Sequence, residues 1–139
     1  NYNHPDLAAN AWLNPGEIAG NGIDDDGNGR IDDMRGFDFF NNDADPMDDN
    51  GHGTHCAGTI AQSTNNGIGC AGVAYNCTLM PVRALDATGS GSLTWIANGV
   101  TWAQSNGANS NRRSVPVQKD PAQLGQRAGI KNARCRVIP

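Results

Sequence analysis

The sequence predicts an α/β fold, a parallel sheet with flanking helices, on three observations. Leu93, Ile96, Val100 and Ala103 recur at spacings of three and four, which puts them on one face of a helix over 92–105. Residues 78–85, Thr-Leu-Met-Pro-Val-Arg-Ala-Leu, form a short apolar run of strand character. Ahead of it stand a second strand-like segment at 36–40 and a run of small residues at 52–62 that suits a closely packed helix. Strand, crossover helix and strand in that order imply parallel pairing.

Taken in order, residues 6–20 read as a surface loop, since Asn14-Pro15-Gly16 is a turn signal, with at most a turn of helix around Leu7 to Trp12. Residues 20–50 are rich in Asp, Asn and Gly, and only Gly36-Phe37-Asp38-Phe39-Phe40 has strand character. Val73-Ala74 closes the loop after the first helix. Pro81 interrupts the apolar run with a residue that has no N–H, which predicts an unpaired stretch or strand end. Ser92 is an N-cap for the second helix and Gly107 its C-terminal stop.

Charge divides the chain into two parts. Residues 1–108 hold thirteen acids against three bases, a net charge of −10, and residues 109–139 hold seven bases against Asp120, a net charge of +6. The basic part has no aromatic residue for stacking and no helical or strand period, which argues against a nucleic-acid partner and predicts a disordered tail. No run of about 18 apolar residues is present, so no membrane-spanning helix is expected. Four cysteines, Cys56, Cys70, Cys77 and Cys135, are too unevenly spaced for a disulfide scaffold, and no C-x-x-C pair suggests zinc.

Two segments carry chemistry. In Asn50-Gly51-His52-Gly53-Thr54-His55-Cys56-Ala57-Gly58-Thr59, glycines on each side of His52 clear bulk from a place where another molecule comes near. Taken alone, His52 or His55 fits a hydrogen-bonded structural histidine, which is the commoner role for a histidine taken at random. A zinc hydrolase built on His52-x-x-His55 is disfavoured, because no third ligand or general-base Glu follows at the required spacing. In Asp24-Asp25-Asp26-Gly27-Asn28-Gly29-Arg30-Ile31-Asp32-Asp33, Asp24, Asp26, Asn28 and Asp32 occupy positions one, three, five and nine of an EF-hand-type calcium loop, with Gly29 at six. Position twelve is Arg35, so Asp33 or another oxygen has to complete the shell. The competing reading is a solvated acidic loop.

The histidine segment resembles the H-G-T-H-x-A-G-T motif of the subtilisin-like serine proteases, in which the first histidine is the general base. Three other stretches resemble the family in the same order: Asn3-His4-Pro5-Asp6-Leu7, Asn66-Gly67-Ile68-Gly69-Cys70-Ala71-Gly72-Val73-Ala74, and Gly89-Ser90-Gly91-Ser92-Leu93-Thr94-Trp95-Ile96. The resemblance covers residues 1 to about 107 and implies an incomplete subtilisin-like fold over 1–108, with 109–139 outside it. It implies a secreted, calcium-dependent endopeptidase acting on protein or peptide substrates, with His52 as general base and an inhibitory propeptide as a partner. The family's aspartate motif would precede Asn1. Its G-T-S-x-A/P nucleophile motif is absent, since none of Ser63, Ser90, Ser92, Ser105, Ser110 and Ser114 stands in that context. A segment lacking two members of the triad is expected to be inactive alone; the alternative is a non-catalytic calcium-binding or decoy product.

The resemblance also assigns further residues. Gly89, Ser90 and Gly91 match the edge along which an extended substrate lies as an added strand, and Leu93, Ile96 and Leu85 fall where the family builds an apolar pocket. Asp38, Asn41, Asp43 and Asp45 look like one family calcium loop; Asp6 with oxygens of Thr64, Asn66, Ile68 and Cys70 looks like another. Cys56 is expected as a buried thiol beside the catalytic histidine.

Overall fold

The structure, a computed structural model, describes residues 1–108 and 136–137. The elements are a 3-10 turn (Ala8–Asn10), β1 (Phe37–Asp38), α1 (His52–Ala61), β2 (Thr78–Leu79), β3 (Val82–Arg83), α2 (Leu93–Ser105) and β4 (Arg136–Val137). β1 pairs with β3 in parallel, Phe37 opposite Val82 and Asp38 opposite Arg83. β2 pairs with β4 in parallel, Thr78 opposite Arg136 and Leu79 opposite Val137. Apart from β4, the expected disordered tail at 109–139 lies outside the described residues.

The apolar run 78–85 is therefore not one strand. It is cut at Met80-Pro81 into two short strands with different partners, as a residue without an N–H requires. The cut serves both cores. β2 packs on α1, over a cluster of Leu7, Ala57, Ala61, Cys77 and Leu79. β3 packs on α2, over a cluster of Trp12, Phe37, Phe39, Met80, Trp102 and Ala103. Trp12 and Phe39 meet Trp102 edge-on, with ring centroids 5.9 and 6.1 Å apart. Each such buried side chain stabilises the fold by about 1.5–3 kcal/mol.

α1 forms at a small-residue run because its buried positions are Ala57 and Ala61, which let the following loop come close. Val73 and Ala74 donate their N–H groups to the carbonyls of Thr59 and Ile60, closing that loop over the helix C-terminus. α2 starts as expected, with the Ser92 hydroxyl accepting the Trp95 N–H at 3.2 Å, and Gly107 follows it with φ +78°.

The face of α2 that packs differs from the one predicted. Of Leu93, Ile96, Val100 and Ala103, only Ala103 is buried; Leu93 is 85% exposed and Val100 52%. The helix instead buries Gly99, Trp102 and Ala103. Gly99 brings the helix axis so close to Val82 and Phe39 that a methyl group there would sit 2.8 Å from Val82 Cγ1. Large Trp102 fills the space below it, and Ile96 and Val100 are left for a groove.

Candidate active site and acidic loops

A groove of about 680 Å3 runs between the start of α1, the segment after β3 and the exposed side of α2. His52, Leu85, Gly89, Ile96 and Val100 are among the residues that line it. His55 is not among them, and among the described residues no serine is. Ser90 and Gly91 lie in the adjoining turn, and Leu93 stands outside the groove, so the structure brings together only part of the expected substrate-contact set.

His52 is the first residue of α1 and is exposed. Its ring Nε2 is 3.6 Å from Cys56 Sγ, one helical turn on, which places the half-buried thiol beside the imidazole. A helix that opens at His52 must satisfy its free amides from outside the helix. Gly51, at φ +92°, offers no side chain to do so. Asp48 does it from three residues upstream. Its Oδ1 accepts the Gly51 and Asn50 N–H groups at 2.8 and 3.0 Å, and its Oδ2 accepts the Thr54 N–H at 2.7 Å and the Thr54 hydroxyl at 2.5 Å. Burial pushes the Asp48 carboxyl up, but the bonds from Thr54, Gly51 and Asn50 outweigh it and hold the group well below the usual carboxylate range.

The same stretch is tied across the groove. The Asn50 side chain accepts the His52 N–H at 3.3 Å and donates to the Ala87 carbonyl at 2.8 Å. Arg83 pairs with buried Asp38 at 2.7 Å and with Asp49 at 2.6 Å.

In the acidic loop, the carboxylates that converge are Glu17, Asp24 and Asp26, whose oxygens lie within 4.8 Å of one another. Asp32, expected at position nine, is turned away to accept the N–H groups of Gly20, Asn21 and Gly22. Glu17 was not anticipated; it is buried and accepts the N–H groups of Asp25, Asp26 and Asp32, so it shapes the loop as well as facing it. Its sequence signal is weak, a single acid seven residues ahead of the run. Asn28 donates to Asp26, Asp33 and Asn106. Asp33 is fully buried, and burial raises its pKa against the bonds it accepts from Asn28 and Asn14.

The other two acidic sets differ from each other. Asp6 is buried, accepts from the Asn66 side chain at 2.6 Å, and is overlain by Gly69, where a Cβ would meet Asp6 Oδ2 at 2.5 Å. Neither Thr64 nor Cys70 makes a side-chain hydrogen bond to it, and the Ile68 N–H goes to Asn66. In the set Asp38, Asn41, Asp43 and Asp45, the Asn41 amide donates to Asp38 Oδ2 at 3.1 Å, Asp38 and Asp43 exchange backbone hydrogen bonds, and the Asp45 N–H goes to Asp43 Oδ1. Asp38 is committed to Arg83 and to the N–H groups of Phe40 and Asn41, while Asp45 accepts the Tyr2 hydroxyl at 2.7 Å. Burial, followed by that bond, pushes Tyr2 up to about 12.

Fold and site together describe an α/β protein that presents a capped helix-opening histidine at an apolar groove beside a glycine-containing turn. The subtilase-family profile matches residues 1–117, and the chain belongs to that family. It is 52% identical over 86 residues to subtilisin-like protease 1 of Plasmodium vivax, covering 61% of this chain and 14% of that protein. It is 43% identical over 106 residues to thermitase of Thermoactinomyces vulgaris, covering 76% of this chain and 30% of thermitase. It is 52% identical over 75 residues to the thermophilic serine proteinase of Bacillus sp. strain AK1, covering 54% and 19%. The chain thus spans less than a third of these relatives.

The capping geometry makes a pH-dependent prediction. Because the folded-state pKa of Asp48 lies below that of an unfolded aspartate, its contribution is complete above about pH 4 and is lost as the pH falls further. Asp48→Ala should lower stability by about 1 kcal/mol at pH 7, and the difference from wild type should shrink towards pH 2. Urea unfolding followed by far-UV circular dichroism at the two pH values measures it.

Proposed function

We propose that this chain is the histidine-bearing segment of a secreted, calcium-dependent subtilisin-like serine endopeptidase that hydrolyses peptide bonds in proteins, with His52 as the general base. The observation that carries the reading is the position of His52, at the groove and facing the same space as Gly89 and the apolar side chains of Leu85 and Ile96. An extended peptide laid along 89–91 would set apolar side chains against Leu85, Ile96 and Val100, which explains why this side of α2 is left unpacked.

Within such a site the imidazole would take the proton of an attacking serine hydroxyl and return it to the leaving amine. This chain contributes the base, its orientation and one wall of the cleft. The cap from Asp48 and the bond from Asn50 fix the backbone at His52, and the Cys56 thiol fills the space beside the ring. The family's serine motif is not in these 139 residues, and among the described residues no serine lines the groove. Secretion and inhibition by a propeptide belong to the same reading; among the described residues no helix is long and apolar enough to cross a membrane.

Calcium is part of the proposal at two places. Glu17, Asp24 and Asp26 would hold a hard cation with carboxylate oxygens, with Asn28 and Asp33 adjoining. Asp6, enclosed by the loop carrying Asn66 and Ile68, would hold a second once the Asn66 amide turns its oxygen inward, with backbone oxygens of Thr64, Ile68 and Cys70 within the same loop. The bound ion would screen the repulsion among these acids and link distant loops. The set of Asp38, Asn41, Asp43 and Asp45 stays a weaker candidate for a further ion, because Asp38 is already paired with Arg83.

Two outcomes are expected. The 139 residues alone should show no hydrolysis of casein, while the complete protease should hydrolyse it and lose at least about a thousandfold in kcat on His52→Ala; full activity in that variant would refute the assignment. Adding EDTA should lower the melting temperature of the complete protease by several degrees, and calcium in excess should restore it; an unchanged transition would remove calcium from the reading.

A further inference from the structure

The turn between β3 and α2 is held by one side chain that neither the sequence motifs nor the groove chemistry singles out. Asp86 accepts the Thr88 N–H at 2.9 Å, the Thr88 hydroxyl at 2.6 Å and the Ser90 N–H at 2.9 Å, all on Oδ1. Its own backbone closes the same turn twice: the Asp86 N–H donates to the Ser90 carbonyl at 2.8 Å, and its carbonyl accepts the Gly89 N–H at 2.9 Å. Five hydrogen bonds thus run from one residue into the three that follow Ala87.

The consequence falls on the edge. Both backbone polar groups of Ser90 are turned onto Asp86, and successive residues of an extended chain present these groups to opposite sides. Among the described residues the backbone N–H and C=O of Gly91 make no hydrogen bond. Gly91 is also fixed in place, since a Cβ there would lie 2.4 Å from the Ala84 carbonyl oxygen. Outside this turn, the Asn50 side chain holds the Ala87 carbonyl, so the pinned edge is anchored to the backbone of His52 as well.

We propose that Asp86 is a positioning residue for substrate: its carboxylate folds the 86–90 turn, with Gly89 at φ +81° and the backbone groups of Ser90 drawn inward, so that Gly91 stands with its own N–H and C=O unpaired before a peptide arrives. The inference rests on the endopeptidase reading above. Asp86 and Thr88 also line the groove, and the role assigned to Asp86 is the folding of the turn. A peptide long enough to lie along the edge gains from that preorganisation, because the ordering of the turn is complete before binding. A substrate too short to reach the edge gains nothing from it. Thr88 takes part by giving the carboxylate both its amide and its hydroxyl, and its hydroxyl also reaches Ser90 Oγ at 3.2 Å.

The test uses the complete protease with two probes, a tetrapeptide p-nitroanilide that spans the edge and a single-residue p-nitrophenyl ester that does not. In Asp86→Ala the ratio of kcat/KM on the tetrapeptide to kcat/KM on the ester should fall about tenfold, through KM on the tetrapeptide. Asp86→Asn keeps one oxygen in place and should recover most of the ratio; Thr88→Val, which removes only the hydroxyl donor, should give an intermediate fall and serves if Asp86→Ala does not fold. A ratio that stays at the wild-type value in Asp86→Ala, or in Thr88→Val where that variant serves, overturns the inference, whether both substrates lose equally or neither does. A wild-type enzyme that cleaves neither probe would instead overturn the endopeptidase reading, so the two failures are distinguishable.

Discussion

The exposed N-terminus of α1 is the constraint on which the site depends. His52 has to be the first residue of its helix if the imidazole is to stand at the groove, and that position leaves several backbone amides without helical partners. A glycine precedes it, so the immediate neighbour supplies nothing. Asp48 resolves this by reaching forward over the turn with both oxygens, and its negative charge suits the positive end of the helix dipole. Asn50 then joins the same backbone to the opposite wall of the groove through Ala87. The geometry of the site is therefore set by Asp48, ahead of the histidine segment, acting on Asn50, Gly51 and Thr54 within it.

A second constraint lies behind the site. The stretch 78–83 has to serve two cores at once, one under α1 and one under α2, and Met80-Pro81 lets it change partners between them. The acidic loop is fastened to the second of these cores. Asp33 is fully buried, which raises its pKa, and Asn28, which donates to it, also reaches Asn106 just beyond α2. Order in that loop and the packing of α2 are thus linked through named side chains, which gives a physical route by which an ion in the loop would stiffen the wall of the groove.

Much of this was legible in the sequence. The helix at 52–62, the caps of α2 and the break at Pro81 follow from local chemistry, because glycine, serine and proline constrain the backbone wherever they occur. The packed face of α2 was not legible. Periodicity counted Leu93, Ile96 and Val100 as core, whereas the contact is made by Gly99 and Trp102, a small and a large residue whose fit depends on Val82 and Phe39. In the acidic segment, residue spacing identified Asp24 and Asp26 but could not show that Asp32 turns back onto residues 20–22, or that Glu17 reaches in from outside the motif. Long-range partners of charged groups, such as Arg83 for Asp38, have no local signal at all.

His52, and not His55, is proposed as the base of a peptide-hydrolysing site whose cleft runs past Gly89. A peptide chloromethyl ketone tests it directly, since such a reagent alkylates an imidazole only when its peptide part occupies the cleft. Treating the complete protease and locating the label by mass spectrometry should place it on the His52 ring, with loss of activity in step with labelling. Label on His55 instead, or inactivation with His52 unmodified, would contradict the assignment.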